Sequence, residues 1–151
     1  MASPIIDIQK KTILVVGGSG VGKTSFINKV SNKPFDRIYN PTIGTNKSAP
    51  IIFNQYELVF LEISGEEYPD YLYLDGAIVM FDIHSEISYN QIPYFIRKIR
   101  NKYGAIPTAI CGNKLDFDET QRKIKKNDQI YLEISSKSSS NYDKILEKLF
   151  R

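Results

Sequence analysis

The segment Gly17-Gly18-Ser19-Gly20-Val21-Gly22-Lys23-Thr24 fits G-x-x-x-x-G-K-[ST] and leaves few folds open to the chain that carries it. Before it, Thr12-Ile13-Leu14-Val15-Val16 is a short β-branched run that reads as a buried strand. After it, Phe26, Ile27 and Val30 recur at helical spacing. Strand, glycine turn and helix start together are the context of a phosphate-binding loop. Glycines let successive backbone N–H groups converge on an anion, and the helix N-terminus adds partial positive charge. The predicted phosphate-binding set is Gly18, Ser19, Gly20, Val21, Gly22, Lys23, Thr24 and Ser25. In such a loop Lys23 reaches the β- and γ-phosphates and the Thr24 hydroxyl ligates Mg²⁺. A nucleoside triphosphate is the expected ligand.

The rest of the chain supplies the sheet that such a loop needs. Its 151 residues suit one domain, with a tail over 1–10 and the folded unit over 11–151. Strands are predicted over 11–16, 47–53, 56–62, 77–81, 107–112 and 129–134, with a hairpin turn at Asn54-Gln55. Helices are predicted from the phosphate loop to about Asn32, from Asn90 to Tyr103, and from a cap at Asn141 onward. Residues 33–45 and 63–75 carry turn formers and Pro69 and read as irregular. Alternating strands and helices predict an α/β fold: an open, mostly parallel sheet with helices on both faces. Ligands of that architecture bind at the carboxyl ends of the strands.

Charge and cysteine content exclude several function classes. A formal net charge of +3 is too mild to predict direct nucleic-acid binding. The one cysteine, Cys111, excludes an internal disulfide and sits in the apolar run Thr108-Ala109-Ile110-Cys111 as a core residue. No apolar run approaches membrane-spanning length, Ala2 is not the glycine of a myristoylation signal, and the last residues carry no cysteine to prenylate. A monomer without a membrane anchor, in the cytoplasm or nucleus, is expected.

A second constellation names the base. Asn113-Lys114-Leu115-Asp116 follows the strand ending at Gly112. A carboxylate there accepts hydrogen bonds from guanine N1–H and the 2-amino group, a donor pair that adenine lacks. A desolvated carboxylate left without donors is costly, so Asp116 would discriminate strongly against ATP. Asn113 would brace the loop and touch the base, and the Lys114 stem would cover one ring face. Ser135-Ser136-Lys137 follows another strand end, where backbone N–H groups meet guanine O6. The alternative is a solvated N-K-x-D turn and a flexible serine loop.

With these pieces the sequence resembles the Ras superfamily of small GTPases over about residues 11–151, and within it the Ran branch. The resemblance rests on Gly17 to Thr24, Phe35-Asp36-Arg37-Ile38-Tyr39, Thr42-Ile43-Gly44 and Ala77 to Asp82. It rests further on Ser88 to Pro93, Ile106-Pro107, Cys111 to Asp116 and Glu133 to Ser138. The Y-x-x-[IV]-P segment from Tyr89 and the C-G-N-K-[LV]-D string from Cys111 favour Ran over Rab or Ras. The resemblance implies a P-loop GTPase fold, GTP/GDP and Mg²⁺ as cofactors, and GTP hydrolysis. It places Phe35 edgewise on guanine and Tyr39 near the phosphates, although Tyr39 reads equally well as an exposed loop residue. Thr42 becomes the first-switch threonine that closes on Mg²⁺ and the γ-phosphate. Partners implied are a transport receptor, an exchange factor and an activator protein.

The sequence departs from that pattern at the second switch. Where the family has D-T-A-G-Q, this chain has Glu62-Ile63-Ser64-Gly65-Glu66. Glu62 replaces the aspartate that holds Mg²⁺ through water, Gly65 keeps the phosphate-facing glycine, and Glu66 replaces the glutamine that orients the attacking water. Gly65 to Asp82 leaves too little chain for the family's helix there, and the stretch from Asp116 to Ser135 is short as well. Lys23, Thr42 and Glu66 are the candidate catalytic residues; Thr24, Thr42 and Glu62 are the candidate metal ligands. Slow hydrolysis is expected. One alternative is a GTP-binding module without useful turnover that competes for Ran partners. A remoter one is a P-loop phosphotransferase, for which no arginine-rich lid is apparent. Among other residues, His84 reads as a solvated loop residue, and Arg122 to Lys126 as a solvated basic face or a contact for acidic partners. Tyr68, Tyr71 and Tyr73 read as sheet-edge packing or as a protein-binding patch.

Overall fold

The computed structural model describes residues 8–31, 38–40, 45–47, 50–63, 68, 70, 73–114, 131–135 and 142–150. In chain order these form β1 (Gln9–Gly17), α1 (Lys23–Ser31), β2 (Ile38–Asn40), β3 (Thr45–Lys47), β4 (Ile51–Phe53), β5 (Tyr56–Ile63) and β6 (Gly76–Asp82). There follow α2 (Glu86–Asn90), α3 (Ile92–Tyr103), β7 (Thr108–Lys114), β8 (Tyr131–Ser135) and α4 (Tyr142–Leu149). The strands make one sheet in the order β2-β3-β5-β1-β6-β7-β8, with β4 also on β5. From β5 to β8 every pairing is parallel; β2, β3 and β4 join antiparallel at the other side.

Strand β1 shows why the sheet is covered on both faces. Ile13 and Val15 join a cluster with Phe26 and Ile27 of α1 and Ile145, Leu146 and Leu149 of α4. The alternate residues Leu14 and Val16 join a second cluster with Ile92 and Ile99 of α3. A strand buried on both sides reads as an unbroken apolar run, and the period of two sorts its residues between the two cores. Each such side chain taken from water contributes roughly 1.5–3 kcal/mol. Cys111 is fully buried in the first cluster, as its apolar surroundings predict.

Several elements differ from the sequence reading. β1 starts at Gln9, inside the expected tail, because Gln9 and Lys10 extend the ladder opposite Tyr56 and Glu57. The expected loop over 33–45 contains β2 and the first residue of β3, formed by pairing along the sheet edge rather than by local propensity. The expected strand over 47–53 is two strands, β3 and β4, and β4 starts after Pro50, whose missing N–H cannot serve a ladder. β7 runs through Asn113 and Lys114, which are its last residues rather than the start of a loop. α2 was not expected; the Ser85 side chain caps it by accepting from the Ser88 N–H at 3.2 Å. α3 begins at Ile92, with Pro93 in its first turn, where a missing N–H costs nothing. His84 is not solvated: its side chain is 12% exposed, with Nδ1 3.3 Å from Asp82 Oδ1. The expected Asn141 cap and the basic run at 122–126 lie outside the described residues.

Between β5 and β6, the described residues of the expected irregular stretch are held against α3 and β1. Tyr68 stacks on Tyr103 at 6.4 Å between centroids, with the Lys98 ammonium 4.7 Å from its ring. Asp70 forms an ion pair with Lys102. Tyr68 and Leu74 are both buried, whereas Tyr73 is exposed; Tyr71 lies outside the described residues. Asp75 closes the stretch by accepting from the Thr12 N–H at 2.8 Å and donating its own N–H to the Thr12 carbonyl at 2.9 Å.

Candidate functional site

The loop from Gly17 to Thr24 begins at the last residue of β1, opposite Met80 of β6. A Cβ on Gly17 would stand 2.5 Å from the Met80 carbonyl oxygen, so only glycine lets the chain leave β1 there. Gly22 has φ 97°, a conformation that side-chain-bearing residues rarely adopt, and its carbonyl accepts the Phe26 N–H at 2.9 Å to start α1. Lys23 therefore stands in the first turn of α1, where backbone N–H groups are free of helix partners. The cavity above the loop measures about 480 Å³ and is lined by Gly17, Ser19 through Ser25, and Glu62. That volume suits a small-molecule ligand.

The side chains facing this cavity come from α1 and the carboxyl end of β5. Lys23 is 8% exposed, and its Nζ donates to the carbonyls of Gly17 at 2.8 Å and Gly18 at 3.2 Å. Burial lowers its pKa below the ordinary lysine value, and the negative charge of Glu62 works in the opposite direction. The Thr24 hydroxyl donates to both carboxylate oxygens of Glu62, at 2.7 and 2.9 Å. Glu62 is itself buried, near the end of β5, flanked by Val15 of β1 and Asn46 of β3 in the sheet register.

A second strand end meets the loop from the other side. Asn113 is almost fully buried and its Nδ2 donates to the Val21 carbonyl at 3.0 Å, across 92 residues of sequence. Among the described residues its Oδ1 is buried without a hydrogen-bond partner. Lys114 and Ser135 end β7 and β8 and stand opposite each other in the register, which puts the two predicted base-binding segments side by side.

The predicted residues thus divide. Ser19 to Ser25 and Glu62 surround one cavity, and Asn113 is fastened to it. Gly18 does not line the cavity; its Cβ position is filled by Gln91, whose Oε1 lies 2.6 Å from it. Gln91, at the junction of α2 and α3, was not foreseen, and nothing in the local sequence marks it as a neighbour of the loop. Phe35, Thr42, Gly65, Glu66, Asp116, Ser136 and Lys137 lie outside the described residues, as do the side chains of Lys114 and Ser135.

For a metal ion, the described residues contain no group of three or more His, Cys, Asp or Glu side chains. The donors at the cavity are one hydroxyl, Thr24, and one carboxylate, Glu62. That set fits Mg²⁺, which is commonly held by one or two carboxylates together with substrate phosphates. Residues 12–151 match the family model described as the Ras family.

Proposed function

The chain belongs to the Ras family, and from that membership we propose that it is a Ran-like small GTPase, slow in hydrolysis, whose nucleotide state switches its hold on partner proteins. As a Ras-family small GTPase it binds guanine nucleotide. The observation that carries the nucleotide-binding part of this reading is the bond from Asn113 Nδ2 to the Val21 carbonyl. It ties the strand that leads into Asn113-Lys114-Leu115-Asp116 to the phosphate loop, so base and phosphates are read by one rigid frame.

Each residue then has a role set by its chemistry. Lys23 and the N–H groups of the loop meet the phosphate charge. Asn113 braces the phosphate loop and touches the base, and Asp116 accepts from guanine N1–H and the 2-amino group. Phe35 packs on the base edge, while Lys114, Ser135, Ser136 and Lys137 enclose the ring. Thr24 and Glu62 hold Mg²⁺, with Thr42 joining them in the GTP state; the ion neutralises phosphate charge when bound. Gly65 approaches the γ-phosphate. Loops around Thr42 and Gly65 that order on that phosphate give the switch its two states. Its partners are a transport receptor, an exchange factor and an activator.

Competition binding tests the base reading. Wild type is expected to take GTP and GDP but not ATP, and Asp116→Asn to lose GTP and gain XTP, because xanthine carries an oxygen where guanine carries the amino group. ATP bound as tightly as GTP by wild type would overturn it.

Hydrolysis is expected to be slow because the Glu66 carboxylate accepts hydrogen bonds but donates none. It also brings negative charge toward the γ-phosphate, a repulsion of roughly 3 kcal/mol at about 5 Å and an effective dielectric near 20. In single-turnover assays at equal Mg²⁺, Glu66→Gln should hydrolyse GTP faster than wild type. A faster wild type would make Glu66 a working catalytic residue.

A further inference from the structure

The carboxylate of Glu62 is buried and, among the described residues, accepts no hydrogen bond from a cation. It is 7% exposed, and among the described residues its hydrogen-bond partner is the neutral Thr24 hydroxyl. The nearby Lys23 ammonium gives its hydrogen bonds to the carbonyls of Gly17 and Gly18 instead. A buried carboxylate in that position is costly unless a cation meets it. Its backbone cannot retreat, because β5 is paired on both sides at this residue, to Val15 and to Asn46.

We propose that Glu62 binds the nucleotide-associated Mg²⁺ directly, taking a coordination position that the family's shorter aspartate leaves to water. The inference rests on the GTPase reading above and adds a metal-binding mode to it. Two adjacent oxygens of an octahedral Mg²⁺, each about 2.0–2.1 Å from the ion, stand about 2.9 Å apart. The hydrogen bonds from the Thr24 hydroxyl to the two Glu62 oxygens, 2.7 and 2.9 Å long, hold the carboxylate at a spacing that neighbouring ligands also have. A carboxylate acting through water stands roughly 2 Å farther from the ion than one bound to it. One added methylene extends the reach by a little over 1 Å, most of that difference. Direct contact also gives the buried carboxylate its cation without an intervening water, which is the larger electrostatic gain in a site of low dielectric.

The test counts metal-bound waters. Mn²⁺ replaces Mg²⁺ in the GDP complex of the full chain, and broadening of its electron paramagnetic resonance lines by ¹⁷O-enriched water gives the number directly bound. With Thr24 and one phosphate oxygen as the other ligands, an inner-sphere Glu62 leaves three of the six positions to water, and an outer-sphere one leaves four. Wild type is expected to hold one water fewer than Glu62→Asp. Four waters on wild type would overturn the proposal even if the variant failed to fold, and an equal count in the two proteins would do the same. Calorimetry of GDP binding to the same wild-type preparation separates the two readings. GDP bound with four metal waters rejects the inner-sphere carboxylate alone, whereas no GDP binding at all rejects the nucleotide reading and this proposal with it.

Discussion

Lys23 carries its charge at a cost that the ligand removes. Burial lowers its pKa, and the Glu62 carboxylate offsets only part of that shift. Phosphate charge against the ammonium favours the protonated form, so the complex keeps a proton that the free protein releases at lower pH. Nucleotide affinity should therefore be full below the free protein's depressed lysine pKa. It should fall as pH rises from there toward the ordinary lysine value of about 10.4. Stability of the free protein moves the other way. In that window the unfolded chain binds more protons than the folded one, so unfolding free energy rises with pH. Calorimetry of GDP binding from neutral to alkaline pH, on wild type and Lys23→Arg, checks the sign. Arginine stays charged throughout, and the titration of guanine itself is common to both proteins and cancels in their ratio. A ratio that does not change with pH would show that Lys23 remains fully protonated in the free protein. The sequence announces Lys23 because its hydrogen-bond partners are five and six positions away, and Thr24 because it completes the same motif. It is silent on Gln91, whose place beside Gly18 depends on how α3 lies against β1.

At the scale of elements, legibility followed the source of the stabilising contacts. The buried strands β1, β5, β6 and β7 carry their signal in their own apolar runs, and the amphipathic α3 carries it in its period. β2 and β3 are three-residue strands held by pairing to each other and, for β3, to β5, so no local pattern marks them. α2 is only five residues long and owes its start to Ser85 and to Ser88, whose buried hydroxyl accepts the Asp82 N–H at 2.9 Å. Such a helix is below the length that periodicity can register. The stretch after Gly65, expected to be too short for a helix, lies partly outside the described residues. Its fastening to α3 through Tyr68, Tyr103 and the Asp70–Lys102 pair was not legible, because those partners are about thirty residues apart. A still longer separation, 92 residues, hides the bond from Asn113 to Val21. Asn113 looks like a loop residue in the sequence, and only the fold shows that it ends a strand and holds Val21.

At the scale of the molecule, the cavity is a junction of segments that are far apart in the chain. Gly17, Ser19 to Ser25 and Glu62 surround it, Asn113 is bonded to its wall, and Ser135 stands beside Lys114 at the next strand end. A nucleotide seated there would contact segments from β1, α1, β5, β7 and β8 at once, and the unfolded chain offers no such arrangement. Binding to the folded state alone stabilises it by mass action, by about 2.7 kcal/mol when free ligand is 100 times its dissociation constant. For a chain of this size each kcal/mol raises the midpoint of thermal unfolding by about 2–4 °C. GDP or GTP with Mg²⁺ at that excess should therefore raise the midpoint by roughly 5–10 °C. ATP at the same concentration should leave it unchanged, because Asp116 finds no donor pair on adenine and the desolvated carboxylate opposes binding. Chelating the metal should shrink the guanine-nucleotide shift, since phosphate charge is then met by Lys23 and the loop N–H groups alone. Thermal unfolding followed with GTP, GDP and ATP, each with and without a chelator, measures all of this on one preparation. An equal shift with ATP would place recognition in the phosphates only, and no shift with any nucleotide would leave this Ras-family chain without its ligand.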